Sequence, residues 1–385
     1  MNTSPAAAAP GNDSHVTLRE IHHQPACWGK TFEIIRAARP AIEAFLQSFN
    51  ASTADRQVII TGAGTSAYAG IVLESIIRKD TQTFVRAVAT TDLILEPDSY
   101  FKPGMATLLV SFARSGDSPE SQAAIDLADQ SASVVSHLII TCNVNGRIAA
   151  KRNDANALVI FLPDETNDRG LAMTSSFTNM LLAGILTFAW DRIGEVEKQV
   201  TALMRCGNTI LNEYAGVIEE ISRSGFRQAV FLGSGSLTGI AQESKLKLLE
   251  LTVGEVVCHH ETFVAFRHGP IAVMNNDTLL VYLFSSDPCI QQYERDLVNS
   301  LHKGKFRLGI SQHPVAGVTV DQALVFGDAA GADLCQELVP VCAVLPGQML
   351  GYFTSLHIGL NPDAPCTDGS YSRVVQGVHI YQPTN

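Results

Sequence analysis

Arg56-Gln57-Val58-Ile59-Ile60-Thr61-Gly62-Ala63-Gly64 returns later in the chain as Arg227-Gln228-Ala229-Val230-Phe231-Leu232-Gly233-Ser234-Gly235, and this pair of strings decides the fold. Thr107-Leu108-Leu109-Val110 returns in the same way as Thr278-Leu279-Leu280-Val281, and both pairs stand 171 residues apart (227 − 56 and 278 − 107). One constant offset over separate apolar runs indicates a duplicated sheet. Beyond the second run the copies part: the first reads Ser111-Phe112-Ala113-Arg114-Ser115-Gly116-Asp117-Ser118, the second Phe284-Ser285-Ser286-Asp287-Pro288. Two sheets with unlike loops suggest one active centre assembled from two halves.

Working outward, Val58–Thr61, Leu108–Phe112, Leu138–Thr141 and Leu158–Leu162 are expected strands of the first half, with Ala229–Leu232, Leu279–Phe284, Phe306–Ile310 and Leu324–Phe326 in the second. Their continuous apolar character marks strands covered on both faces, hence parallel sheets between helices. The expected fold is therefore α/β, two tandem αβα sandwiches of flavodoxin or Rossmann type. A helical lead-in over Leu18–Phe49 and a connecting helix over Gly194–Arg223 complete the plan. The expected divisions are 1–50 for a tail and the lead-in, 51–205 for the first unit, 206–360 for the second, and 361–385 for an extended tail returning over the body.

The chain has 385 residues, 46% of them hydrophobic and 17% charged, which is enough for two buried cores. A net charge of −11 argues against nucleic acid or an anionic membrane as partner. None of the eight cysteines forms a Cys-x-x-Cys pair, so neither a zinc framework nor a redox motif is read, and a reducing, cytoplasmic location is expected. Residues 1–14 read as a loose tail rather than a signal peptide, and the longest apolar run, Met180–Trp190, is too short to cross a bilayer.

Four segments carry chemistry near strand ends, where open parallel sheets bind ligands. Gly62-Ala63-Gly64-Thr65-Ser66 follows a strand and opens a helix, offering free N–H groups to an anion. With Ala67 it also fits Gly-x-Gly-x-x-Ala, so a dinucleotide site is an alternative, with Asp92 as the available ribose carboxylate; a plain tight turn is another. Arg114-Ser115-Gly116-Asp117-Ser118 sets hydroxyls and a guanidinium at a helix start; Ser118 also suits an ordinary N-cap, but a phosphate monoester is favoured because the second copy lost this pattern while keeping its strand. Asp168 to Ser176 precedes an apolar helix, and Thr174 and Ser175 serve either as caps or as substrate contacts. Glu243, Lys247 and Glu250 share a helix face by spacing, which by itself reads as a surface ion pair. His259-His260-Glu261 suggests a metal only weakly, and His268 sits on a Gly-Pro turn.

Together these strings resemble the double SIS (sugar isomerase) family, in particular the AgaS-type D-galactosamine-6-phosphate deaminase and tagatose-6-phosphate ketose-aldose isomerase group. The resemblance takes in Asp168-Arg169-Gly170, Ala172 to Ser176 and Arg373 to Val378, hence nearly the whole chain. It implies that Ser66, Arg114, Ser115 and Ser118 hold a sugar phosphate, and that Thr174 and Ser175 lie in the sugar-binding segment. Arg373 stands where the related synthase has a lysine near the sugar. It assigns Glu250 as the proton-shuttling carboxylate, best served by a pKa raised through burial, with Lys247 beside it. His268 would open the ring from the neighbouring subunit of a homodimer. Leu249 replaces a family lysine. No cofactor and no metal are implied.

The chain begins Met1-Asn2 without an amidotransferase domain, so release of ammonia is expected rather than its capture from glutamine. A 2-amino sugar phosphate would give a ketose and ammonia. With a 2-hydroxyl the same groups would only isomerise, and glucosamine 6-phosphate is an alternative substrate. A sugar-phosphate sensor and a nicotinamide dehydrogenase are the more distant readings.

Overall fold

Buried β-branched runs that end in glycine, each followed by a helix, set the architecture. The computed structural model describes residues 15–52, 55–79, 83–327, 333–369, 372–374 and 377–381. The tail expected over 1–14 lies outside them, as do Val375 and Gln376 of the closing run. Two helices lead in, α1 (Val16–His22) and α2 (Gln24–Ser52). The first half then runs β1 (Arg56–Gly62), α3 (Thr65–Ile77), β2 (Phe84–Ala89), α4 (Thr90–Leu95), α5 (Pro97–Tyr100), β3 (Ala106–Ala113), α6 (Pro119–Ser131), β4 (Val134–Thr141), β5 (Ala157–Phe161), α7 (Ser175–Phe188) and α8 (Trp190–Ile193). The second half follows as α9 (Val196–Glu213), α10 (Ala215–Ser222), β6 (Gln228–Gly233), α11 (Leu237–Leu251), β7 (Val257–Glu261), α12 (Phe263–Phe266), β8 (Thr278–Leu283), α13 (Pro288–Ser300), β9 (Phe306–Ser311), β10 (Gln322–Val325), α14 (Val339–Ala343) and α15 (Leu345–His357).

Each half holds a five-stranded sheet, ordered β2-β1-β3-β4-β5 and β10-β9-β8-β6-β7, and every pairing is parallel. Counted within each half, both orders are 2-1-3-4-5, the doubly wound arrangement of flavodoxin type. The likeness of the two halves extends to the backbone: Gly64 and Gly235, at the same offset, have φ of 55° and 58°. The central strands are wholly buried, as in Ala106–Ala113 and Thr278–Leu283, which accounts for their unbroken apolar sequence.

The structure differs from the sequence reading in its edge strands and in the connecting helix. The sequence reading lacked β2 and β7, edge strands that are only partly covered. Since β7 pairs with β6, His259 and His260 alternate across a strand and face opposite ways, so they cannot converge on one ion. No cluster suited to a metal occurs among the described residues. The connecting helix is two, broken at Tyr214 between α9 and α10.

The two halves meet where α3 packs on α11. At Gly239 a Cβ would stand 2.6 Å from Val72 Cγ2, so glycine is what lets the helices touch. The run Val339–His357 is long and apolar enough to cross a membrane, yet 89% of it is buried inside the protein, as a core helix would be.

Candidate active site

β1 delivers Gly62 to the carboxyl edge of the first sheet, and the chain turns there into α3. A Cβ on Gly62 would sit 2.6 Å from the carbonyl carbon of Ser66, so only glycine allows strand and helix to cross this closely. β3 delivers the second wall. Beyond Ala113 the loop turns at Gly116 (φ 67°) into α6, where Ser118 is the N-cap: its hydroxyl accepts from the Ser121 N–H at 3.3 Å and donates to Ser121 Oγ at 2.7 Å. Asn143 Nδ2 donates to the Ser115 carbonyl at 2.7 Å, and Asp117 accepts from the Arg147 N–H at 3.1 Å, bracing the loop from outside.

These walls enclose a cleft of about 200 Å³ lined by Ser66, Arg114, Ser115, Ser118, Ser121, Leu171, Met173, Glu250 and Arg373, among others. Arg114 is 6% exposed. Its Nη2 donates to the Arg373 carbonyl, while its Nε and Nη1 have no partner among the described residues. Burial and then the neighbouring Arg373 lower its pKa from the usual arginine value. Two unanswered, desolvated donors on a cation call for an anionic acceptor.

The second half supplies a buried charge cluster, and here the helix face of α11 proves not to be a surface pair. Lys247 and Glu243 are fully buried, with Nζ 3.4 Å from Glu243 and 2.7 Å from Glu250 Oε2. Lys247 also donates to Thr65 Oγ1 at 3.0 Å, and Thr65 donates to Glu243 at 3.3 Å, so α3 of the first half closes the cluster. Burial would lower the Lys247 pKa, but Glu243 and Glu250 outweigh it and the net direction is upward. One ammonium cannot neutralise two carboxylates. Complete burial, opposed by Lys247 and reinforced by Glu250, raises Glu243 to about 8. Glu250 keeps 27% of its side chain exposed and faces the cleft.

Thr174 and Ser175 are placed otherwise than expected. Both are fully buried and neither lines the cleft. Thr174 at the N-cap of α7 makes no side-chain cap. Asp168 does the capping instead, its carboxylate accepting from the N–H and hydroxyl groups of Thr174, Ser175 and Ser176. Sequence reasoning missed this role because the carboxylate comes six residues before the cap position. Arg373 lines the cleft, but its guanidinium is taken up by the 167–168 segment: Nε donates to the Asp168 carbonyl at 2.6 Å and Nη2 to Asn167 Oδ1 at 2.9 Å. His268 is exposed and is not among the cleft's lining residues in the same chain. Asp92 lies exposed on α4, also away from the cleft. Every remaining residue expected at the site, Ser66, Arg114, Ser115, Ser118, Lys247 and Glu250, lines the cleft or, for Lys247, sits directly behind Glu250.

Residues 53–189 match the SIS domain. The chain is 37% identical over 390 residues to the D-galactosamine-6-phosphate deaminase AgaS of Escherichia coli O157:H7, covering 99% of this chain and 98% of that protein. It is 39% identical over 373 residues to the protein of the same name from Shewanella sp. strain ANA-3, covering 95% and 91%. Among solved structures, tagatose-6-phosphate ketose/aldose isomerase from Escherichia coli superposes with a TM-score of 0.86 at 34% identity, covering 99% of both chains. By its paired sheets, its cleft and these full-length likenesses, the chain belongs to the AgaS group of the SIS-domain family.

Proposed function

We propose that the protein converts D-galactosamine 6-phosphate and water to D-tagatose 6-phosphate and ammonia. The observation that carries this reading is one cleft holding both a buried guanidinium with two open donors, Arg114, and a lysine-backed carboxylate, Glu250. Arg114, Ser66, Ser115 and Ser118 hold the phosphate by charge-assisted and hydroxyl hydrogen bonds, with the N-terminus of α6 adding its dipole. Glu250 takes the proton from C2 of the open-chain sugar and returns it at C1. The resulting C2 imine adds water and releases ammonia, so a C–N bond is broken by hydrolysis. Lys247 fixes Glu250 in place and moves no proton itself.

His268 acts on the ring oxygen of a sugar bound to the neighbouring subunit. Its exposure in its own chain supports that role, as do the exposed apolar side chains Leu249, Val253, Val257, Val264 and Ile271 on the same stretch, which suit burial against a second copy. Cysteines that form no disulfide fit a cytoplasmic enzyme.

The test is an ammonia-release assay with galactosamine 6-phosphate and glucosamine 6-phosphate side by side. Release from the galacto epimer supports the reading. No ammonia from either, with interconversion of a hexose phosphate intact, would leave plain isomerisation, the activity for which the superposed structure is named.

A further inference from the structure

We infer that Glu20, on the N-terminal helix α1, is a positioning residue for the phosphate grip, acting through the Asp168–Arg169 peptide and Arg373. This inference rests on the reading of the cleft given above. Glu20 is 5% exposed, and its Oε1 accepts the Arg169 N–H while Oε2 accepts the Gly170 N–H at 3.2 Å. The Arg169 N–H shares its peptide group with the Asp168 carbonyl, which accepts Arg373 Nε at 2.6 Å. A carboxylate on one side of that peptide and a guanidinium on the other polarise it in the same sense, so each hydrogen bond strengthens the next. The Arg373 carbonyl in turn accepts Arg114 Nη2, which fixes the guanidinium in the wall of the cleft.

The surrounding contacts fit a built relay rather than chance proximity. A Cβ on Gly170 would stand 2.8 Å from Thr17 Oγ1 and 3.0 Å from Glu20 Oε2, so glycine is what admits the carboxylate. Asp363 accepts the Val16 and Thr17 N–H groups at 2.9 and 2.8 Å, and its carbonyl accepts the Leu171 N–H at 3.2 Å. The 167–171 segment is thus held by its N–H groups from α1 and the tail, leaving the carbonyls of 167 and 168 for Arg373. The Asp168-Arg169-Gly170 string thereby links both ends of the chain to Arg114.

Burial and Asp168 raise Glu20 to about 7, so the assays belong at pH 8, where the carboxylate is largely ionised. Glu20→Gln should weaken inorganic phosphate binding, measured by calorimetry, about tenfold, and raise KM for the sugar phosphate in step while kcat at saturation changes much less. The decisive arm is a double-mutant cycle. In an Arg373→Ala background Glu20→Gln should cost no further phosphate affinity, whereas a residue that only supports the fold would give losses that add. Should Glu20→Gln fold poorly, Glu20→Asp, which keeps the charge but withdraws it by one methylene, must show the same coupled loss. Phosphate bound equally by wild type and variant, or losses that add in full, would overturn the inference. A wild type that binds neither phosphate nor sugar phosphate would instead remove the reading of the cleft itself.

Discussion

Replacing Gly62 with alanine should weaken the grip on phosphate, and Gly233, at the matching place in the second half, supplies the control. The new Cβ would lie 2.6 Å from the Ser66 carbonyl carbon, against 3.4 Å for ordinary contact, so the start of α3 must retreat by about 0.8 Å (3.4 − 2.6). Overpacking of this kind costs on the order of 1–3 kcal/mol of stability. A displacement near 1 Å at a binding group costs up to roughly a hundredfold in turnover of substrate. Gly233→Ala delivers the same insult in the second half, where the Cβ would meet the Leu237 carbonyl oxygen at 2.3 Å. The stability losses should therefore be comparable, and the kinetic losses should not. Gly62→Ala moves Ser66 and, with it, Thr65 beside Lys247, so it should raise KM, weaken inorganic phosphate binding and lower kcat together. Gly233→Ala moves α11, which carries Glu250, and should lower kcat while phosphate affinity stays within about twofold. Calorimetric titration with phosphate beside steady-state kinetics reads both. Equal loss of phosphate affinity in the two variants would refute the assignment of the grip to the first half alone.

Three further outcomes are expected. Glu250→Gln should lower kcat by about 10²–10⁴-fold with phosphate affinity nearly intact, and normal turnover in that variant would strip Glu250 of its role. Glu243 is raised from the usual glutamate value to about 8, so its cost to the fold is absent below the unfolded pKa near 4.5 and grows as pH rises through 8. Glu243→Gln should accordingly gain melting temperature relative to wild type between pH 6 and 9, whereas parallel melting curves across that window would count against the buried carboxylate. His268→Asn and Glu250→Gln, each inactive alone, should regain at most about a quarter of wild-type activity when subunits are mixed, since only heterodimers rebuild one intact site. No recovery after verified exchange would argue that His268 does not cross between subunits.

What could be read from the sequence follows burial. The central strands announce themselves because both faces are covered, and the 171-residue offset fixes their pairing into two like sheets. The edge strands Phe84–Ala89 and Val257–Glu261 do not, because they carry arginine, histidine and glutamate on partly open faces. The loop from Arg114 to Ser118 stood out because hydroxyls, glycine and arginine meet at a helix start, and it does line the cleft. The burial of Glu243 and Lys247 was not legible, since an i,i+4 pair looks the same on a surface as at a seam, and only the approach of α3 decides it. Thr174 and Ser175 stayed open between two readings, because hydroxyls before a helix suit a sugar as well as they suit a carboxylate lying upstream.

Lys247 bears on how the molecule must be handled. Its ammonium is shut away from water by Thr65, a residue of the opposite repeat, and so a severed repeat would leave that cation hydrated and its grip on Glu250 slack. Neither repeat is then a smaller working copy of the whole. The cluster is complete only when the two halves fold against each other, and any loosening of that junction would be felt first at Glu250, well before the sheets themselves give way.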